Sequence, residues 1–110
     1  MFNVRLSANI KYIEKSLGLA LVKLPDNPAG YLLVKIAVEP LKIGDAITVL
    51  GYPYDQGLTV STGIIASTAG NGGRILITSI LPLGFSGSPI FNSRGEAIGI
   101  ILARISHTGF

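Results

Sequence analysis

A serine flanked by glycines carries the clearest chemical potential of this chain, in the segment Gly84-Phe85-Ser86-Gly87-Ser88-Pro89. Glycine tolerates sharp backbone turns, so the hydroxyl of Ser86 can stand exposed, and the amides of Gly84 and Ser86 can converge on one point. Two convergent amides form an oxyanion hole, which stabilises the tetrahedral intermediate of acyl transfer. The segment therefore indicates a serine nucleophile with its oxyanion hole, although a glycine-rich loop with an incidental serine would contain the same residues.

The nucleophile elbow of α/β-hydrolases is a second motif that begins Gly-x-Ser-x-Gly. Here the fifth position is Ser88 instead of glycine, and Pro89 with an apolar strand pattern follows where that fold requires a helix. The α/β-hydrolase interpretation is therefore rejected.

Short strands are the elements that must position this loop. No long stretch shows the apolar stripe of a helix, whereas runs rich in Ile, Val, Leu and Thr alternate with Gly, Pro, Asn and Asp. Asn71-Gly72 and the tight turn at residues 93–95 indicate hairpins. The sequence predicts about eight short strands in a barrel or sandwich, drawn from residues 2–6, 12–13, 19–24, 31–37, 46–50, 58–67, 74–80, 89–92 and 96–103.

Composition limits the possible partners. The chain has 110 residues, which fits one small domain, and its net charge of +3 comes from scattered basic residues, so no nucleic-acid partner is predicted. The charged fraction of 14% is low beside about 25% in ordinary domains, which indicates a surface covered by a partner. Without cysteine there is no disulfide or thiolate metal site, and no cofactor is predicted. The chain shows no signal-peptide pattern and no apolar run long enough for a bilayer, so the localisation stays unknown.

A family resemblance makes the serine motif specific. Residues 84–100 closely resemble the nucleophile region of trypsin-like serine proteases, above all the HtrA-type branch, whose pattern is Gly-Asn-Ser-Gly-Gly-Pro, an apolar strand, Asn-x-x-Gly-Glu, then Val-Ile-Gly-Ile. Residues 19–24, 43–53 and 59–66 resemble that branch's Asp-Leu-Ala-Leu-Leu-Lys-Val, its Val-Gly-Asp strand with Gly-x-Pro, and its Thr-Val-Thr-x-Gly-Ile-Val-Ser. The resemblance covers roughly residues 17 to 103 in the family's order.

The resemblance implies a fold and a domain plan. The family has two β-barrels with the active site between them, and this chain resembles the second barrel plus the connection into it. We therefore expect an all-β chain with a single six- to eight-stranded antiparallel Greek-key barrel. Residues 1–110 would form one domain, with connecting strands at 1–17, the barrel core at 18–104 and a tail at 105–110.

The resemblance also implies the roles of individual residues. Ser86 is the expected nucleophile, and the amides of Gly84 and Ser86 are the expected oxyanion hole. Ser88 replaces the family's second glycine, and Phe85 replaces its usual Asn or Asp. Four apolar residues correspond to the substrate pocket, namely Ile80, Ile100, Ile101 and Leu102.

The remainder of the catalytic triad has no match. The mechanism needs a histidine base and an aspartate that orients it, yet the sole histidine is His107, in the tail, where a solvated side chain is the simplest interpretation. Gly18 stands at the aspartate position, and Glu14 is out of register with it. The sequence thus resembles the nucleophile-bearing half of a serine endopeptidase that is inactive alone, with a polypeptide as substrate or ligand and a first barrel as the missing partner.

Two other functions are alternatives to that one. A non-catalytic homologue would bind peptides or assemble with copies of itself, whereas a carrier of small ligands inside a barrel has no supporting motif. Because an apolar face would be left without its first barrel, the sequence also predicts a homodimer, formed through that face or by exchange of residues 2–6 or of the tail.

Overall fold

A computed structural model describes residues 7–26, 30–53, 57–70, 73–81 and 84–102. The described residues contain β-strands and no α-helix, which confirms the all-β class. Within these ranges no helix is both long and apolar enough to cross a membrane. The strands are β1 (Asn9–Glu14), β2 (Leu19–Lys23), β3 (Ala46–Gly51), β4 (Thr59–Ser67), β5 (Leu76–Ile77), β6 (Pro89–Phe91) and β7 (Ala97–Ile100).

The chain divides into two compact units, Met1–Leu33 and Val34–Phe110. In the first unit β1 and β2 form an antiparallel hairpin, with Asn9 opposite Lys23 and Glu14 opposite Leu19. The expected border between residues 17 and 18 lies inside the turn of this hairpin. Two compact units can belong to one domain, so the assignment of a single domain stays a prediction.

The second unit contains a five-stranded antiparallel sheet in the order β5-β4-β3-β6-β7. Strands β3, β4 and β5 follow one another as neighbours, and β6 returns to lie beside β3, which is the Greek-key arrangement. Strand β3 is therefore central, and its residue Thr48 pairs with Thr62 on one side and with Phe91 on the other. The resemblance implied a six- to eight-stranded Greek-key barrel, and this curled five-stranded sheet is consistent with one barrel half of a trypsin-like protease.

Alternation along β3 explains where the core of the second unit lies. Ile47 and Val49 are buried while their neighbours are more exposed, because successive side chains of a strand point to opposite faces. The core cluster comprises Ile47, Val49, Ile65, Leu81, Phe85, Ile90 and Ile101. Each such side chain contributes about 1.5–3 kcal/mol through burial. Phe85 directly precedes Ser86, so the core itself holds one end of the serine loop.

Four strands of the sequence prediction differ from the structure. Strand β1 is longer than the predicted run at 12–13, and β7 covers only Ala97–Ile100 of the predicted run at 96–103. The other two differ more. Residues 31–37 form no strand, and only Ile36 makes an isolated parallel bridge, to Ala97. Residues 31–37 have the composition of a strand, but a strand also needs a hydrogen-bonded partner along its length. Here β7 pairs with only one of these residues. Strand β5 keeps only Leu76 and Ile77 of the predicted run at 74–80. Three other parts of the prediction lie outside the described residues, namely the strand at 2–6, the Asn71-Gly72 turn and the tail at 105–110.

The hairpin of β6 and β7 is closed by the Asn-x-x-Gly-Glu motif. The Oδ1 of Asn92 accepts hydrogen bonds from the amides of Arg94 and Glu96, both at 2.9 Å. The Glu96 side chain is only 12% exposed, and its Oε1 accepts from Asn92 Nδ2 at 2.8 Å and from Arg94 Nε at 3.0 Å. The Asn92 hydrogen bond first, and the Arg94 hydrogen bond second, hold the pKa of Glu96 below its ordinary value. This part of the family motif is therefore structural.

The stability of this hairpin should depend on pH through Glu96. Because the pKa of Glu96 is lower in the folded state, its contribution is present above the unfolded-state pKa and is lost as pH falls through the folded-state pKa. The unfolding temperatures of the wild type and of Glu96→Gln should differ most at neutral pH, and the difference should shrink as pH falls below the ordinary pKa of a glutamate and Glu96 becomes protonated in the folded state. Glu39→Gln is the control, because that exposed carboxylate should cost little at any pH. A difference between wild type and Glu96→Gln that is constant with pH would contradict this assignment.

Candidate active-site loop

Backbone geometry forces the serine loop into a tight turn. Gly84 has φ 99° and Gly87 has φ 85°, a region that residues with side chains rarely adopt. The amide of Ser88 donates to the carbonyl of Phe85 at 2.9 Å, which closes a four-residue turn around Ser86 and Gly87. A positive φ at the third residue of such a turn favours glycine, as in type II turns. Ser86 thus occupies the corner of the turn.

Hydrogen bonds tie the turn to the residue that follows β7. The amide of Gly87 donates to the carbonyl of Ile101 at 2.7 Å, and the amide of Ile101 donates to the carbonyl of Ser88 at 2.9 Å. Phe85 is 2% exposed and Ser88 is 7% exposed, so the residues on either side of the Ser86-Gly87 corner are buried. The loop is therefore anchored at both ends.

The serine loop packs closely against Gly51, the last residue of β3. A Cβ placed on Gly51 would lie 2.5 Å from Ser88 Oγ and 2.8 Å from the ring of Phe85. Only glycine leaves room for this approach, and Pro53, two residues later, is also fully buried. The motif Gly51-Tyr52-Pro53 was visible in the sequence, but nothing local showed that the serine loop packs on it.

Ser86 itself is exposed. Within the described ranges its hydroxyl has no hydrogen-bond partner, and the amides of Gly84 and Ser86 donate to no acceptor there. The hydroxyl and the two amides therefore have no partner among the described residues. Whether the two amides converge on one point stays a prediction.

Two residues that the resemblance brought up for the aspartate of the triad lie in the first unit. Gly18, at the position that the resemblance assigns to the aspartate, lies in the β1–β2 turn with φ 67°. The carboxylate of Glu14 accepts hydrogen bonds from Ser16 Oγ at 2.5 Å and from Tyr12 OH at 2.8 Å, and these bonds, Ser16 first, lower its pKa. His107 lies outside the described residues. Among the residues that are described, no group of three or more His, Cys, Asp or Glu could hold a metal ion.

The four expected pocket residues differ in exposure. Ile80 is 90% exposed, Ile100 is 49% exposed and Leu102 is partly buried. Ile101 is a core residue, so its side chain packs inside while its main chain bonds to the serine loop. The carbonyl of Ile80 accepts from Ser61 Oγ at 3.2 Å, which ties that residue to β4. Their joint role as a substrate pocket stays a prediction.

Comparison with known proteins shows a similarity to serine proteases. The chain matches the trypsin-like peptidase domain family over residues 3–100. It is 33% identical over 114 residues to serine protease HTRA4 of Mus musculus, covering 93% of this chain and 23% of that protein. The human serine protease HTRA4 is 29% identical over 113 residues, covering 93% of this chain and 24% of that protein. Serine protease HTRA1 of Xenopus tropicalis is 30% identical over 110 residues, covering 90% of this chain and 24% of that protein.

The chain therefore belongs to the trypsin-like peptidase family, and its relatives are HtrA-type serine proteases. It spans about a quarter of the length of the curated relatives that it matches.

The support of the loop by Gly51 can be tested with alanine substitutions. Gly51→Ala should destabilise the chain by about 1–3 kcal/mol, because the new methyl group overlaps Ser88 Oγ and the Phe85 ring. Gly99→Ala is the matched control, since a Cβ there meets only Ile90 Cδ1 at the ordinary distance of 3.8 Å. Urea unfolding of both variants gives the two free-energy changes. Equal changes for the two variants would mean that the loop does not rest on Gly51.

Proposed function

We propose that this chain is the nucleophile-bearing half of an HtrA-type serine endopeptidase site, and that it does not hydrolyse peptides on its own. One observation carries the proposal. Ser86 is exposed on a firmly anchored turn, yet its hydroxyl has no base beside it in the part of the chain that the structure describes. The position of the orienting aspartate is occupied by Gly18, which has no side chain to take that role.

The chemistry shows which step this chain can support. In acyl transfer the Ser86 oxygen bonds to the carbonyl carbon, the C=O electrons move onto the oxygen, and the amides of Gly84 and Ser86 stabilise the resulting oxyanion. The hydroxyl proton must leave at the same time, and it requires an acceptor that a histidine normally provides. Without that acceptor the hydroxyl stays protonated and is a weak nucleophile.

The sizes of two rate effects, that of the oxyanion hole and that of the catalytic base, indicate whether the chain alone would be partly active or inactive. The oxyanion hole and substrate binding together leave a rate of only about 10³–10⁴ over water when triad residues are removed. Removal of the serine or the histidine of a complete triad costs about 2 × 10⁶ in rate. The oxyanion hole therefore cannot replace the base, and we expect any hydrolysis by the chain alone to be too slow for a protease.

A non-catalytic peptide-binding homologue is the second candidate. The exposed apolar side chains of Ile80 and Ile100 favour it, together with two amides that could accept a peptide carbonyl as hydrogen-bond partner. Peptide binding needs no base, so the same loop would serve either function.

Reaction with a fluorophosphonate probe tests the activation of Ser86. We expect the wild-type chain to show no more labelling than Ser86→Ala, because the probe reacts only with an activated serine. Ser93→Ala is the control for an exposed serine outside the loop, and trypsin is the positive control. Labelling that Ser86→Ala abolishes and Ser93→Ala retains would show that a base reaches Ser86, and the proposed inactivity would be wrong.

Specificity can be tested in a form that also contains a first barrel from an HtrA-type relative. The four pocket residues are apolar, so a buried Lys or Arg of the substrate would be an unpaired cation, whereas an aliphatic side chain gains about 0.8 kcal/mol per buried methylene. A peptide library should therefore show preference for Val, Ala or Leu before the scissile bond. Ile80→Asp should shift the preference toward Lys and Arg. Enrichment of Lys or Arg by the unsubstituted protein would contradict the apolar pocket.

A further inference from the structure

Residues 78–81 follow β5 and remain beside β4, and we call them the pocket segment. Its first residue is held by two hydrogen bonds, because the amide of Thr78 donates to the carbonyl of Ile64 at 3.0 Å and Thr78 Oγ1 accepts from the amide of Ile64 at 3.0 Å. Its last residue, Leu81, is buried in the core of the second unit. The pocket segment is therefore fixed at both ends, with Ser79 and Ile80 between them.

A single hydroxyl group bonds the middle of the pocket segment to β4. Ser61 Oγ donates to the carbonyl of Ile80 at 3.2 Å. Among the described residues, no main-chain hydrogen bond joins Ser79 or Ile80 to β4. The ladder that fixes the main chain of a regular strand is thus missing at these two residues. The position of the Ile80 carbonyl therefore depends on the side chain of Ser61.

The neighbouring hydroxyl of Ser79 makes no such bond. Ser79 Oγ is buried and has no hydrogen-bond partner in the part of the chain that the structure describes. It nevertheless lies close to β4, since a Cβ placed on Gly63 would be 2.7 Å from Ser79 Oγ and 2.8 Å from the Ser79 amide nitrogen. A buried hydroxyl without a partner adds no hydrogen bond that would hold the pocket segment. Ser61 and Ser79 are therefore two hydroxyls at the same place, of which one bonds to Ile80.

The main chain of Ile80 matters because it carries an exposed side chain. The Ile80 side chain is 90% exposed, and under the proposed function it lies at the base of the substrate pocket. Isoleucine branches at Cβ, so it has few rotamers once its main chain is fixed. A fixed Ile80 main chain therefore keeps the side chain in place and limits the depth of the pocket.

We infer that Ser61 is a positioning residue for substrate selection. Its hydrogen bond holds the Ile80 side chain at the base of the pocket and so restricts the residue before the scissile bond to short aliphatic side chains. Without the Ser61 hydroxyl, the main chain of Ile80 can move away from β4, and the pocket then accepts a larger side chain such as that of phenylalanine. This inference rests on the proposed function, which assigns Ile80 to the pocket.

Peptide cleavage tests this role in a form that also contains a first barrel from an HtrA-type relative. The ratio of kcat/KM for a peptide with Val before the scissile bond to that for a peptide with Phe should fall about threefold in Ser61→Ala, the size expected for one lost hydrogen bond. Ser61→Thr keeps the hydroxyl and should restore the ratio. Ser79→Ala is the matched control, because it removes a hydroxyl that has no partner, and the ratio should not change.

The rate of fluorophosphonate labelling in the same form separates selection from general damage to the site. The serine loop is anchored by Gly51 and by the main chain of Ile101, not by the pocket segment. Labelling should therefore proceed equally fast in the unsubstituted protein, in Ser61→Ala and in Ser61→Thr, although their peptide preferences differ. A residue that only stabilised the fold would change labelling and both cleavage rates together.

Backbone ¹⁵N relaxation of the chain alone tests the hydrogen bond without any activity. The order parameter of Ile80 should fall in Ser61→Ala, and it should stay at the wild-type value in Ser61→Thr and in Ser79→Ala. An unchanged order parameter of Ile80 in Ser61→Ala would overturn the inference.

The failure of this inference can be told apart from the failure of the proposed function. A two-barrel form that cleaves both peptides with the same ratio in Ser61→Ala as without the substitution would overturn the inference alone. A ratio that falls equally in Ser61→Ala and Ser61→Thr would do the same, because the hydroxyl would then be irrelevant. A two-barrel form that cleaves neither peptide would overturn the proposed function and the substrate role of Ser61 with it, and relaxation of the chain alone would still show whether Ser61 holds Ile80.

Discussion

The close contact between Gly51 and the serine loop is the constraint on which the candidate site depends. Because Gly51 lacks a side chain, the end of β3 can approach Ser88 Oγ and the Phe85 ring more closely than any other residue would allow. Phe85 then fills the core while the next residue, Ser86, turns out to solvent. The contact at Gly51 thus contributes both to the packing of the sheet and to the exposure of the Ser86 hydroxyl.

The anchoring of the loop does not need the rest of the triad. Its bonds run to Ile101, its buried side chains pack in the core of the second unit, and its shape depends on Gly84 and Gly87. In the proposed function, a member of the trypsin-like peptidase family keeps this turn while Gly18 stands where the resemblance places the aspartate. Ser88 in place of the family's second glycine is accommodated because its hydroxyl lies against the bare backbone of Gly51. In this account, peptide hydrolysis requires a base supplied from elsewhere, whereas peptide binding requires only the loop.

Sequence patterns predicted the local features well and the non-local ones poorly. Short runs rich in Ile, Val, Leu and Thr located β2, β3 and β4 to within about a residue, because the composition of a run and the turn residues beside it are local features of the sequence. The Gly84 and Gly87 turn was predicted for the same reason, since glycine marks a positive φ. The run at residues 31–37 has the composition of a strand, but strand formation requires a partner, and composition contains no information on partners. The contact of Gly51 with Ser88 joins residues far apart in the chain, so it became visible only in three dimensions.

The central claim is that the loop is complete and that only the base and its orienting acid are missing. The most direct measurement is the intact mass of a Gly18→Asp chain after it is mixed with a histidine-bearing first barrel of an HtrA-type relative and treated with a fluorophosphonate. The account predicts a single covalent adduct on Ser86 in the mixture, and no adduct when the histidine of the added barrel is replaced by alanine. If sedimentation shows that the two pieces assemble and Ser86 still forms no adduct, the loop is not a competent nucleophile site and the account is wrong.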